Sequence, residues 1–378
     1  MHTVTGLNPQ DGKPIEIIVR DGIIHAINAS GRDEEQWVSR GFVDLQVNGY
    51  GGDDVNMEEP DPQAIVSLTA KMIAAGVTTY LPTIITASEE KITAALRAVA
   101  RARQSNKLVA ECVPYVHVEG PHISPLDGFR GAHPVEQVRP PNLAEFARWQ
   151  QASSGLVGMV TLSPHFEESE EYISRLTAQG VHVSIGHTHA SADQIHKAVD
   201  AGARLSTHLG NGIAGMIARH PNPIWTQLSD DRLTASMIAD GHHLPGDTLK
   251  AMVRTKGIDR SILVSDAVAL AGLPAGIYDA PIGGRVELRS DGRLSLLGTE
   301  FLAGAVLSLK DGIARAMSMA GISLGESIQM ATVNPGRFVG GAGVLAVGMP
   351  ADLVRFNIES GESGLRIERV FVKGKEWS

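Results

Sequence analysis

From Gly41 onward the chain alternates short β-like runs with helically periodic stretches, and it does so eight times. The runs are "GFVDLQVNG" (41–49), "VTTYLPT" (77–83), "VPYVHVEG" (113–120), "VGMVTLSPH" (157–165), "VHVSIGHT" (181–188), "RLSTHLGN" (204–211), "LTASMIADGHH" (233–243) and "SILVSDAV" (261–268). Most are separated by segments such as "SADQIHKAVDAGA" and "LPGDTLKAMVRTKGI", whose apolar residues recur at the spacing of one helix face. Alternating strands and helices imply a parallel sheet. Eight repeats imply that it closes into an α/β, TIM-like (β/α)8 barrel. An open, doubly wound sheet is the competing arrangement.

The two ends of the chain have a different texture. Residues 14–28, "PIEIIVRDGIIHAIN", read as two short strands around an Asp-Gly turn, and residues 351–377 have the same strand-and-turn character. Both ends are therefore expected to build one small β-sandwich domain from residues 1–40 and 345–378. The barrel would occupy 41–344, with a β insertion near 277–300 that includes the hairpin-like "GRVELRSDGRLSLLG" (284–298). A chain of 378 residues is long enough for one large core and an accessory domain.

Composition narrows the partners. The net charge of −9, without a sustained basic run, argues against nucleic acid. No apolar stretch is long enough to span a bilayer, and the N-terminus lacks a charged region followed by an apolar one, so no signal peptide and no membrane partner are expected. The single cysteine, Cys112, rules out an internal disulfide, and a cytoplasmic setting follows as the expectation.

Active sites of such barrels lie at the C-terminal ends of the strands. Those ends carry Gln46 and Asn48 in the first run, His117 and Glu119 in the third, His187 in the fifth and His208 in the sixth. The seventh ends in Asp240, His242 and His243, the eighth in Asp266. Carboxylates and imidazoles converging on one mouth suit Zn2+ or another first-row divalent ion with a position left open for water. In "SIGHTHA", His187 directly follows Gly186 and is the better ligand. Ser191 is a helix N-cap candidate, so the chain is turning by His189, which is placed in the rim loop, and His196 falls on the surface of the next helix. The glycine-rich "NGYGGDD" lacks the lysine of a phosphate-cradling loop and reads as a tight turn at the rim.

At these residues the sequence resembles the amidohydrolase superfamily and, within it, the N-acetylglucosamine-6-phosphate deacetylase family. The segments that carry the likeness occur in order: "GFVDLQVNGYGGDDVN", "HVEGPHISPLDGFRGAHP", "GHTHAS", "THLGNG", "IADGHHL", "LVSDAVALAG", "FLAGAVLSL" and "ATVNPGRFVG". The resemblance implies Glu119, His187 and His208 as metal ligands, Asp266 as the acid/base carboxylate and His133 beside the scissile carbonyl. It places Asn211, Gly212 and His243 at a sugar phosphate, with Ala132, Asp240, Leu302, Ala303 and Gly304 lining the same pocket. It further implies a homodimer with sites near the subunit interface, Arg219 as a phosphate ligand, and hydrolysis of an N-acetylated amino sugar, N-acetylglucosamine-6-phosphate first, to the free amine and acetate.

Strand one bears Gln46 and Asn48 where many amidohydrolases carry His-x-His, and neutral amides are weak zinc ligands. One tightly held ion per subunit is therefore expected, Zn2+ first, with Fe2+, Mn2+ and Co2+ as alternatives. Gln46 either ligates it or orients a ligand or water by a hydrogen bond. Two departures from the family pattern stand out: His165 in "SPHFEE" replaces a glutamate, and the neighbours of Arg219 (His220, Pro221, Asn222) are atypical. They keep open a deacetylase of an unphosphorylated N-acyl amino sugar or an N-acyl amino acid deacylase. A cyclic amidase would want a strand-four lysine that "VGMVTLSPH" lacks. A non-catalytic scaffold relative is the alternative of another class.

Overall fold

A computed structural model describes residues 1–280, 284–299, 301–359 and 364–377. Residues 281–283 and 300 of the expected insertion, and 360–363 and 378 of the expected C-terminal strands, lie outside the described residues. Eight strands form one parallel sheet in strict sequence order: β1 (Phe42–Val47), β2 (Val77–Ile85), β3 (Val116–Glu119), β4 (Val157–Leu162), β5 (His182–Ile185), β6 (Leu205–Ser206), β7 (Thr234–Met237) and β8 (Ser261–Leu263). The chain beyond β8 returns to β1. Asp266 N–H donates to Gln46 O at 3.0 Å, Asn48 N–H donates to Ala267 O at 2.9 Å, and Val47 bridges Ala267 in parallel. These contacts bring the last strand back to the first at its C-terminal end and nearly close the barrel.

Helices flank the strands, and their sequences set where they begin. Ser191 caps Ala192–Asp200 through a capping box with Gln194, and Ser88 caps Glu89–Ser105. The period-two alternation of β3 is the clearest link from sequence to site. Val116 and Val118 join the large apolar cluster shared with the helices, whereas His117 and Glu119, one residue out of phase, take the other face. Val43, Leu45, Leu81, Met159, Leu205, Ile262 and Val264 form a separate cluster that fills the barrel interior. Each such side chain contributes about 1.5–3 kcal/mol on burial, so the mouth above them can be polar without loss of the fold.

Strand β1 departs from simple alternation. Val43 and Leu45 belong to the interior cluster, yet Val47 belongs to the outer one. A register shift between Asp44 and Val47 supplies the extra residue that changes parity. Bulges of this kind re-aim side chains, and here the outcome is that Gln46 and Asn48 both reach the mouth.

The chain ends meet in one seven-stranded sheet, ordered Lys375–Glu376, Leu365–Val372, Leu353–Ile358, Trp37–Arg40, His2–Leu7, Pro14–Arg20 and Ile23–Ala29. The sheet curls until its distant parts touch, with Ala351 N–H donating to Gly22 O and Ile24 N–H to Met349 O. Val4, Ile17, Ile24, Leu353 and Phe371 share the enclosed core. The insertion is larger than the hairpin at 284–298. Gly276–Ala280 pairs antiparallel with Gly284–Leu288, which pairs with Leu294–Leu296, giving three strands. Tyr278, Val286 and Leu294 tie it to Ala267 and Val306 beside the mouth.

Candidate active site

A cavity of about 700 Å3 opens at the C-terminal ends of the strands. Glu119, the last residue of β3, lines it, together with His187, His208 and Asp266, which lie just past the ends of β5, β6 and β8. These last three have left extended geometry. Their φ angles are +46°, +28° and +48°, left-handed values that non-glycine residues adopt at some cost. The turn bends each strand end inward and delivers the side chain to the centre of the mouth.

Three atoms form a tight triangle. His208 Nε2 lies 2.9 Å from Glu119 Oε1, His187 Nε2 lies 3.4 Å from the same oxygen, and the two imidazole nitrogens are 3.2 Å apart. Ligands bound at 2.0–2.1 Å around a tetrahedral ion would be separated by about 3.3 Å. His187 Nδ1 donates to Phe129 O at 3.0 Å, so Nε2 is the nitrogen turned to the carboxylate and to His208. A carboxylate and two imidazole nitrogens packed this closely in a buried site call for shared positive charge, from protons or from a bound cation, between them. The backbone carbonyl on the far nitrogen is the outer contact that orients a ligating imidazole. These residues fit a divalent metal. Ligand atoms of Glu119, His187 and His133 also lie within 4.8 Å of one another. We favour the Glu119–His187–His208 set because it is tighter and because His133 Nδ1 is engaged by Thr86 Oγ1 at 2.8 Å.

The surrounding groups set protonation. Burial works to raise the Glu119 carboxyl, but the two imidazoles facing it hold it well below the usual carboxylate range. Burial, reinforced by the negative charge of Glu119, pushes Asp266 up to about 6. Asn48 Nδ2 donates to Asp266 Oδ1 at 2.7 Å and favours its ionised form. His133 is pushed down to about 3, first by burial and then by neighbouring His187, so it is a neutral imidazole. Gln46 Nε2 donates to Glu119 Oε1 at 3.0 Å and orients that carboxylate.

Of the other residues singled out from the sequence, Ala132, His133, Asn211, Gly212, His243, Leu302, Ala303 and Gly304 line the cavity. Asp240 does not line it; its carboxylate accepts from His243 Nδ1 at 2.6 Å and from the backbone N–H groups of His242 and His243, and so holds His243 in place. Arg219 is exposed and does not line the cavity of its own chain. His189 stands at the outer rim and His117 is buried beneath the mouth, hydrogen-bonded to Leu45 O and Thr161 Oγ1. Sequence reasoning missed the contribution of the loop after β1. Gly52, Asp54, Asn56 and Glu58 line one wall, and the apolar Val268, Leu270 and Phe301 another. The signal for the first was present in the glycine-rich "NGYGGDD", where Gly51 and Gly52 take φ +60° and +93° and fold the rim back over the opening.

Residues 37–377 match the Amidohydrolase family, and the chain belongs to that family. Within it, the chain is 30% identical over 365 residues to N-acetylgalactosamine-6-phosphate deacetylase of Escherichia coli O157:H7, covering 95% of this chain and 94% of the relative. It is 32% identical over 322 residues to N-acetylglucosamine-6-phosphate deacetylase of Bacillus subtilis (strain 168), covering 83% and 79%. Among solved structures it is similar to N-acetyl-D-glucosamine-6-phosphate deacetylase from Mycobacterium smegmatis, with a TM-score of 0.87, 28% identity and 100% of both chains covered.

Proposed function

We propose that this chain is a metal-dependent amide hydrolase that removes the acetyl group from an N-acetylhexosamine 6-phosphate, N-acetylglucosamine-6-phosphate first, releasing acetate. The observation that carries the reading is the convergence of Glu119, His187, His208 and Asp266 on one cavity in an amidohydrolase barrel. A divalent cation, Zn2+ in preference to Fe2+, Mn2+ or Co2+, would be held by Glu119, His187 and His208 and would supply Lewis-acid polarisation and a lowered pKa for water. Asp266, ionised and steadied by Asn48, takes the proton released as water attacks the acyl carbon. It then returns that proton to the amide nitrogen, because an unprotonated amine is too poor a leaving group. His133 Nδ1 is hydrogen-bonded to Thr86 Oγ1 at 2.8 Å, and in the tautomer protonated on Nε2 the ring donates to the carbonyl oxygen as negative charge develops there.

Recognition of the phosphate is the finer part of the proposal. Asn211, Gly212 and His243 form the end of the cavity assigned to it, and among the described residues no lysine or arginine lines that cavity. A dianion needs a cation, and arginine provides one with a two-pronged fork. We assign that role to Arg219 of a second copy in a homodimer. Exposed Met216 and Trp225 flank Arg219 in the chain and support an interface there. No described helix is long and apolar enough to cross a membrane, and we place the reaction in the cytoplasm.

Acetate release from N-acetylglucosamine-6-phosphate, N-acetylgalactosamine-6-phosphate and unphosphorylated N-acetylglucosamine tests the reading. The two relatives differ in the hexose, so the first pair of rates decides the epimer. A kcat/KM at least tenfold higher with phosphate than without it is expected; a ratio near one removes phosphate recognition. Absence of acetate release from all three overturns the hydrolase assignment.

A further inference from the structure

Two histidines outside the cavity stand together on the outer rim of the barrel. His165 follows β4 and His189 follows β5, and their ring centres are 4.3 Å apart at an interplanar angle of 47°. Each is anchored through Nδ1. His165 contacts Ser163 Oγ at 2.7 Å, and His189 contacts Ser124 Oγ at 2.6 Å. Ser163 Oγ–H donates onward to Thr188 Oγ1 at 2.8 Å. With its proton engaged there, the Ser163 oxygen accepts from His165, so that ring carries its proton on Nδ1 and keeps a lone pair on Nε2. Among the described residues neither Nε2 is sealed away from solvent without a partner, and both side chains are half-buried. Phe166 packs on His165 and Phe129 on His189, which shields the flanks of the pair.

We propose that His165 and His189 form an outer, two-imidazole site for a divalent transition-metal ion, separate from the ion assigned to the cavity. An imidazole bound at 2.0–2.1 Å has its ring centre about 3.2 Å from the ion, so rings with centres 4.3 Å apart would subtend about 85° at an ion that both Nε2 atoms reach. That is the angle between neighbouring ligands of a square or octahedral ion, as Cu2+ and Ni2+ prefer. The His187–His208 centres in the cavity, 4.9 Å apart, subtend about 100° by the same construction, closer to tetrahedral. The serine contacts are the outer hydrogen bonds that fix ligating imidazoles, and water completes the shell.

The test is titration of the metal-loaded protein with Ni2+ by calorimetry and with Cu2+ by electron paramagnetic resonance. One saturable equivalent beyond the resident metal is expected, with a copper spectrum showing coupling to two nitrogens. His165→Asn and His189→Asn should each weaken that equivalent at least tenfold, while thermal unfolding and resident-metal content report that the variants are folded. Absence of an additional equivalent in the wild-type protein overturns the proposal, whatever the variants do. So does an additional equivalent that both variants keep at wild-type affinity.

Discussion

Replacing Gly212 by alanine tests how the metal-facing imidazole is held. A methyl at 212 would lie 2.7 Å from His187 Nδ1 and 2.9 Å from its Cγ. Ordinary contact is about 3.5 Å, so the ring or the loop must give by about 0.8 Å. The ring has little freedom: Nδ1 is bonded to Phe129 O at 3.0 Å, and Gly131 frames Cε1, where a Cβ would come within 3.2 Å. Position 212 also holds φ +59°, which costs an alanine about 1–2 kcal/mol. Disturbing the outer support of a metal-binding histidine weakens the metal by about 10–100-fold, or about 1.4–2.7 kcal/mol. Gly212→Ala should therefore lose metal to a competing chelator at 10–100-fold lower chelator concentration than wild type, with a lowered Tm. Metal affinity within twofold of wild type would show that His187 is not positioned by this glycine cradle and would refute the reasoning.

Three further outcomes follow from the same geometry. Asp266→Asn should keep the metal and lower kcat by about 10²–10⁴, since it removes the proton carrier but no ligand; steady-state rates alongside metal content check it. Asp240→Ala should release His243 and lower kcat/KM about tenfold, mainly through KM, if the hydrogen bonds to His243 order the phosphate end. Asp44, fully buried, is pushed up to about 7 by that burial, so between pH 4 and 7 the folded protein holds a proton that the unfolded chain has released. Its contribution to stability must then fall as pH rises through that window and level off above it, by at most about 1.4 kcal/mol per pH unit. Asp44→Asn should flatten this slope in denaturant titrations of the metal-free protein at pH 4, 5.5 and 7; an unchanged slope assigns the pH dependence elsewhere.

The barrel was legible because its strands and helices alternate at the right length, and because Val116, His117, Val118 and Glu119 keep strict period two. Less legible was how the other three central residues arrive. His187, His208 and Asp266 belong to β-like runs in the sequence, but they sit beyond the strand ends in left-handed backbone, which is uncommon for any non-glycine residue even though histidine and aspartate adopt it more readily than most. Tertiary closure imposes that geometry. The reading of Ser191 as a helix start was sound, since its capping box ends the β5 connection and leaves His189 on the rim. The bulge in β1 was hidden, because parity is set by pairing with β2 and not by the residues themselves. Within the insertion expected near 277–300 only the hairpin at 284–298 is legible; the third strand, Gly276–Ala280, "GIYDA", is short and bounded by glycine and proline, and it becomes a strand only by pairing with Gly284–Leu288.

The most direct measurement is metal content and acetate release, made together on wild type and Glu119→Gln. The variant keeps the shape of the side chain but removes the charge on which His187 and His208 converge. Wild type should carry one equivalent of divalent metal per chain and release acetate from N-acetylglucosamine-6-phosphate, and the variant should lose both together. A variant that is metal-free yet hydrolyses the amide at the wild-type rate would contradict the account at its centre.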